Sequence, residues 1–269
     1  MFNKIYSRVK SLTKGSQKKN NPERISGNKP DQTRLDELMP IGSFMLLLYH
    51  LKEKGVKGRQ ILDVGSHSTE WIREAKKVFP DAISYLIEPL SEMEIHLKKF
   101  CDENPGSKYF LKGAGSESGK LWLTVWNILE GANFLQPEID SLKSKDQQRE
   151  IEIITVDSLI EKNEIEIPEI VKLDIQGFEL EALKGATKLF GKTEVFILEV
   201  SFFEFVKGVP LFSEVIQFMA ERGYEVYDFP GFSRRPYDGA LGQIDICFVK
   251  KNGFLRQTNK WFKDVNNDR

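Results

Sequence analysis

From Gln60 onward, short apolar runs alternate with stretches whose apolar residues recur every three or four positions. Gln60 to Val64 (QILDV), Ile83 to Ile87, Ile170 to Ile175 (IVKLDI) and Val195 to Val200 (VFILEV) have the length of strands buried on both faces, and glycine or proline follows three of the four closely. Tyr109 to Ala114 predicts a further strand of this set. Between them, helical spacing predicts helices over Glu70 to Phe79, Ser91 to Cys101, Phe178 to Leu189 and Leu211 to Arg222. An earlier helix is expected from Leu35, Leu38, Ile41, Met45, Leu48 and Leu51, interrupted at Pro40-Ile41-Gly42. Lys120 to Trp126 alternates strictly, as an edge or hairpin strand does, and Ile151 to Val156 is another extended piece. Residues 127–150 are polar and irregular, a candidate loop or lid. Trp122 and Trp126 stand just before it, where they could help to shape a ligand pocket or simply pack the hairpin. Tyr224 to Phe229 and Ile244 to Val249 close the pattern; the long non-helical segment joining them predicts one antiparallel strand.

Strands alternating with helices predict a doubly wound, mostly parallel sheet covered on both faces. Such sheets bind ligands at the carboxyl ends of their strands, where the strand order switches. Those ends are Asp63-Val64-Gly65, Ile87-Glu88-Pro89, Ala114-Gly115-Ser116, Leu173-Asp174-Ile175-Gln176-Gly177 and Leu198-Glu199-Val200. Four of the five carry a carboxylate, which favours a ligand rich in hydroxyls or bearing positive charge.

Three of these ends are candidate chemistry. In Asp63-Val64-Gly65-Ser66-His67, Gly65 lets the chain turn off the strand and brings backbone close to a ligand, although ordinary strand-to-helix turns share this form. A dinucleotide site wants G-x-G-x-x-G, and this loop has one glycine, which disfavours a nicotinamide dehydrogenase. Glu88 suits two hydrogen bonds from a ribose diol; an exposed strand-end carboxylate is the plainer alternative. Lys172 and Asp174 share one face of a strand with apolar flanks, where charge is costly unless paired or functional. For Lys172 a structural pair is a standing alternative; for Asp174, at the tip, function is favoured. Glu179 and Glu181 sit where a helix dipole favours acids.

Composition narrows the classes. The chain has 269 residues, is 40% hydrophobic and carries a formal net charge of −1, enough for a sizeable core and for one domain or two small ones. That charge is uneven: residues 1–34 hold nine basic and two acidic side chains, the remainder 30 and 38. The basic stretch predicts a solvated, disordered leader. Phe2, Ile5, Tyr6, Val9 and Leu12 recur at helical spacing within it, compatible with weak peripheral contact with a membrane. No apolar run reaches a spanning length, and neither a signal-peptide core nor a nucleic-acid motif is present. Two cysteines, Cys101 and Cys247, fit a reduced, cytoplasmic setting. His50, His67 and His96 give no zinc spacing with them, so no metal site is assigned.

The chain resembles the FkbM-type methyltransferases over roughly residues 58–250. Asp63-Val64-Gly65-Ser66-His67 is similar to the family's D-V-G-A-N loop, and Ile87-Glu88-Pro89 to its F-E-P strand end. Thr155-Val156-Asp157-Ser158-Leu159 matches T-[VL]-D-S-L. The block from Lys172 to Ala186 follows K-x-D-[VI]-[EQ]-G-x-E-x-x-V-L-x-G-A almost residue for residue. Leu198 to Phe202, Leu211-Phe212 and Gln243 to Phe248 are similar to its C-terminal blocks. The resemblance implies a class I methyltransferase (Rossmann-like) fold: a doubly wound, mostly parallel seven-stranded sheet with one antiparallel strand. It occupies residues 35–269, behind the leader at 1–34. It implies S-adenosyl-L-methionine as cofactor and methyl transfer to a hydroxyl of a sugar or natural product, as in surface polysaccharide biosynthesis.

By the same resemblance Asp63, Gly65, Ser66 and His67 form the cofactor loop, Glu88 holds the ribose, Ser116 lies near the adenine and Asp174 faces the methyl-transfer centre. Asp174 is the candidate base, with Glu199 or His67 as substitutes. The family loop continues D-V-G-A-N-x-G; here His67 replaces the Asn and Thr69 the second glycine, placing a side chain beside the cofactor's methionine end. These departures motivate a rival reading, a non-catalytic protein of this fold that binds a glycan or partner.

Overall fold

The computed structural model describes residues 42–126, 129–136, 139–143, 145 and 147–260. They fall within one compact unit, Pro40–Arg269. The predicted leader at residues 1–34 and the first turns of the predicted first helix lie outside them.

The chain builds strands β1 (Gln60–Val64), β2 (Ile83–Ile87), β3 (Lys108–Phe110), β4 (Gly113–Ala114), β5 (Gly119–Thr124), β6 (Gln148–Ile154), β7 (Ile170–Leu173), β8 (Val195–Ser201), β9 (Tyr224–Arg234) and β10 (Leu241–Lys250). The helices are α1 (Phe44–Glu53), α2 (Glu70–Val78), α3 (Glu94–Glu103), α4 (Asp140–Lys143), α5 (Val156–Glu161), α6 (Glu179–Lys184) and α7 (Phe212–Glu221). Seven strands form the main sheet in the order β3-β2-β1-β7-β8-β10-β9. All neighbours pair in parallel except β10, which is antiparallel to both β8 and β9. This is the doubly wound, mostly parallel sheet that the pattern predicts, with the seven strands and antiparallel strand of the class I methyltransferase fold that the resemblance implies.

Period-two alternation sorts the strands' apolar residues into two cores. Leu62, Val64, Val171, Leu173, Phe196 and Leu198 face one cluster with α5, α6 and α7. Ile61, Ile170, Val195, Ile197 and Cys247 face the other, with α1, α2 and α3. Both faces are covered, so the central strands read as unbroken apolar runs.

Two predicted elements break. Tyr109 to Ala114 is two strands: Lys112 N–H donates to the Phe110 carbonyl (2.9 Å), and the chain leaves the main sheet for a second one, ordered β4-β6-β5. The predicted Lys120 and Ile151 strands pair there as antiparallel neighbours. The helix expected over Phe178 to Leu189 stops at Lys184, and its C-cap Gly185 packs so close to the Gly115 carbonyl oxygen (2.1 Å from a built Cβ) that only glycine fits. A 3-10 turn, Thr187–Leu189, follows. Asp157 accepts the backbone N–H groups of Thr187 (2.9 Å) and Lys188 (2.8 Å) at its start, so the acid of the T-V-D-S-L motif is a capping group.

Candidate active site

The carboxyl ends of β1, β2, β7 and β8 open into a cavity of about 340 Å³. Gly65, at φ +83°, turns the chain off β1; a Cβ there would stand 2.0 Å from the Asp174 carbonyl oxygen. Only glycine permits so close an approach of the two loops. Gly65 and Ser66 N–H donate to the Ile87 carbonyl (2.8 and 3.3 Å), and the Ser66 hydroxyl donates to the Asp63 carbonyl (2.7 Å). His67 N–H donates to Glu88 Oε2 (2.8 Å) and Leu90 N–H to Oε1 (3.0 Å). Glu88 is thus buried and clamped by backbone on both sides. Burial pushes it up to about 7 against the pull of those two hydrogen bonds. Each oxygen keeps a lone pair for a ligand hydroxyl.

Strand register places charges in one row on the α1–α2 face. Asp63 pairs with Lys172 across β1 and β7, and Glu199 with Asp245 across β8 and β10. Lys172 pairs with Ile197, so the next step in the same phase brings Asp174 beside Glu199. Lys172 Nζ donates to Asp174 Oδ2 at 3.1 Å, stands 4.0 Å from Asp63 Oδ1 and lies 5.7 Å from the Trp71 ring centre. Burial works against its charge, but Asp174 and Asp63 outweigh it and hold the amine above its ordinary value. Asp63 is fully buried, and neither carboxylate oxygen has a hydrogen-bond partner among the described residues. Burial lifts it to about 6.

Asp174 keeps 33% of its side chain exposed and lines the cavity. Burial raises its pKa, but Lys172, with hydrogen bonds from Gln176 and Glu199, prevails and holds the carboxyl below its ordinary range. Burial and the neighbouring Asp174, Glu179 and Asp245 push Glu199 up to about 9, so at neutral pH it carries a proton while Asp174 is ionised. Gln176 Nε2 bridges Asp174 Oδ1 (3.1 Å) and Glu199 Oε2 (3.0 Å), and Gln243 Nε2 donates to the same Oε2 (2.8 Å). Glu179, placed by sequence on a helix dipole, does more. Its buried Oε1 accepts Ile175 N–H (2.9 Å) and Gly177 N–H (3.2 Å) and fixes the loop that carries Asp174.

The cavity thus gathers Gly65, Ser66, His67, Glu88, Asp174 and Glu199, while Asp63 is fully buried and outside the lining. Ser116 is exposed and outside the lining, since the chain bends away after β4; Gly113 and Ala114 line the wall in its place. Trp122 and Trp126 are also outside it. The segment predicted as a lid does reach the cavity, through Leu129, Ala132 and Phe134. Thr69 adopts the left-handed conformation (φ +66°) that a glycine would favour. Its side chain is buried, outside the lining, and accepts from Arg73 Nε (3.1 Å), so it does not crowd the site as expected. Among the described residues no group of three or more His, Cys, Asp or Glu is arranged to hold a metal, and no helix is long and apolar enough to cross a membrane. The residues missed by sequence reasoning as site groups are Trp71, Gln176 and the apolar wall. Gln176 stood in the strongest motif, whereas nothing local marks the wall.

An apolar wall, a clamped carboxylate and an anionic floor suit a ligand combining a flat ring, a diol and a cationic centre. The Methyltransferase FkbM domain family matches residues 63–226. No curated protein matches the chain. Similar solved structures include a methyltransferase FkbM from Methylobacillus flagellatus KT: 16% identity, TM-score 0.45, 71% of this chain and 44% of that one. This chain therefore spans less than half of that protein. Others are precorrin-6y C5,15-methyltransferase from Geobacter metallireducens GS-15 (12%, 0.42, 77% and 85%) and Aeropyrum pernix fibrillarin in complex with S-adenosyl-L-methionine (13%, 0.42, 75% and 73%).

Proposed function

The chain belongs to the FkbM methyltransferase family, and on that premise we propose that residues 35–269 form an S-adenosylmethionine-dependent O-methyltransferase acting on a hydroxyl of a sugar or natural product. The observation that carries the proposal is Asp174: ionised, one-third exposed and lining the cavity, and held opposite the Gly65 loop. The donor set fits the cofactor. Glu88 would take the ribose hydroxyls, Leu90, Ala114 and Phe134 the adenine, and the turn at Gly65, whose lack of a Cβ leaves room, the methionyl part. The ionised pair Asp63 and Asp174, only partly offset by Lys172, favours a sulfonium. When bound, the cofactor supplies an electrophilic methyl group whose C–S bond pair stays on sulfur.

Asp174 orients the acceptor hydroxyl for in-line attack, and alignment supplies much of the rate. The hydroxyl becomes strongly acidic as its oxygen bonds carbon, so a carboxylate of low basicity suffices to take the proton late in the step. Glu199, already protonated, is less suited to that role. His67 contributes through its backbone N–H on Glu88.

The acceptor is a small molecule or glycan in the cytoplasm, with no nucleic-acid partner; surface polysaccharide biosynthesis is the setting that fits. Incubation with labelled methyl donor and a host glycan extract, followed by mass spectrometry, should reveal a gain of one CH₂. Asp174→Asn should cut that transfer by about 10²–10⁴-fold with little change in affinity for the uncharged thioether S-adenosylhomocysteine; near-normal transfer would refute the assignment. Against the rival non-catalytic reading, Thr69 lies outside the cavity lining and accepts from Arg73. Calorimetry showing no S-adenosylmethionine binding at millimolar concentration would restore it.

A further inference from the structure

Gln243 lies on β10, the antiparallel strand, and plays no part in the reading above. It belongs to an ordered network whose stoichiometry is informative. An ionised carboxylate offers about four lone-pair sites. Asp174 already accepts from Lys172 Nζ on Oδ2 and Gln176 Nε2 on Oδ1, and the Glu199 carboxyl, bridged to it by that same Nε2, is placed to supply a third hydrogen bond. Two carboxyl groups can share that bond only if one carries the proton. Both glutamine amides converge on a single oxygen of Glu199, Oε2 (Gln176 at 3.0 Å and Gln243 at 2.8 Å). That oxygen is thereby fixed as the acceptor, and the proton is left to Oε1.

We propose that Gln243 is a positioning residue for methyl transfer: with Gln176 it saturates Oε2 of Glu199, turns the proton of Glu199 on to Asp174, and so leaves Asp174 one free acceptor position, for a single substrate hydroxyl. This rests on the methyltransferase reading and adds to it a reason for one-site selectivity. A carboxylate with one free position receives one O–H, not a vicinal pair. The hydroxyl proton passes to Asp174 as the acceptor's lone pair forms the O–C bond and the C–S pair stays on sulfur, so charge balances with Glu199 neutral throughout. The charged and titratable groups facing Glu199 are Asp174 and Lys172 from β7 and its end, Glu179 from α6, and Asp245 from β10. Three of the four are acids, which favours the neutral form.

The test is a carboxyl ¹³C NMR titration of the full chain, with the resonances of Asp174 and Glu199 assigned through Asp174→Asn and Glu199→Gln. Gln243→Leu should release the Glu199 donor and raise the titration midpoint of Asp174, by about tenfold in its protonation equilibrium. Glu199→Gln, which still offers an N–H and cannot ionise, should keep Asp174 low, whereas Glu199→Leu should raise it. If Gln243→Leu fails to fold, Gln243→Asn, too short to reach, serves in its place. An Asp174 midpoint unmoved in the Gln243 variants, or raised equally by Glu199→Gln and Glu199→Leu, overturns the proposal. Calorimetry of the wild type with S-adenosylhomocysteine is the separate arm for the underlying reading. Binding there supports it and absence of binding removes it, whatever Asp174 does.

Discussion

Replacing Gly65 by alanine should be far more damaging than replacing another left-handed glycine. Two costs add at Gly65. The first is the left-handed backbone (φ +83°), about 1–2 kcal/mol for a residue with a Cβ. The second is collision: the new Cβ would sit 2.0 Å from the Asp174 carbonyl oxygen and 2.9 Å from Ile175 Cγ2. The oxygen belongs to backbone tied to β1 through Asp174 N–H on the Val64 carbonyl (3.0 Å), so it cannot swing aside as a side-chain end could. Overpacking of this kind costs about 1–3 kcal/mol, for a total of roughly 2–5 kcal/mol. Gly223 is the control. Its φ is +80° and no atom lies within 4 Å of its virtual Cβ, so Gly223→Ala should show the backbone cost alone. Urea unfolding of both variants measures the difference, expected at about 1–3 kcal/mol. The Gly65 variant should also lose S-adenosylhomocysteine affinity by calorimetry, because the displaced carbonyl carries Asp174 with it. Equal destabilisation of the two variants would refute the claim that the approach of the two loops is what requires glycine.

Other variants separate the roles of neighbouring residues. Glu88→Ala should weaken S-adenosylhomocysteine binding by about tenfold or more, and unchanged affinity by calorimetry would count against the ribose assignment. Thr69→Gly should leave that affinity within about twofold, because the Thr69 side chain is outside the cavity; a large gain would show that it crowds the site. Glu179 has its pKa raised from 4.5 to about 7, chiefly by burial. A raised acid holds its proton longer in the folded state than in the unfolded one, so its contribution to stability falls as pH rises from about 4.5 to about 7. Melting temperatures should therefore decline across that window. Glu179→Gln, whose carbonyl can still accept Ile175 and Gly177 N–H, should flatten the decline; an unchanged slope would contradict the assignment.

Period and punctuation made the main sheet legible. The strands at Gln60, Ile83, Ile170 and Val195 are apolar on both faces because helices cover both, and glycine or proline close to most of their ends marks the tips. Asp174 and Glu88 were legible for the same reason: a carboxylate at the end of a buried run is costly without a purpose. The break between β3 and β4 was not legible, since a chain crossing from one sheet to another keeps its extended, apolar character. Nor was the need for glycine at Gly185, which comes from the carbonyl of Gly115, seventy residues away in sequence. Trp122 and Trp126 attracted attention by size, yet the cavity wall came from Leu129, Ala132 and Phe134, residues with no local signal.

By itself, then, the sequence determined the alternation of strand and helix, the direction of most strands, the one antiparallel closing strand and the acids at the strand tips. Those are consequences of short-range periodicity. Only the tertiary structure decided how the acids combine. Strand register, set by pairing between segments far apart in the chain, lined up Asp63 with Lys172 and Glu199 with Asp245, and brought Asp174 beside Glu199. That juxtaposition ionises Asp174 and keeps Glu199 protonated, because the charge state of a buried carboxyl depends on its neighbours in space.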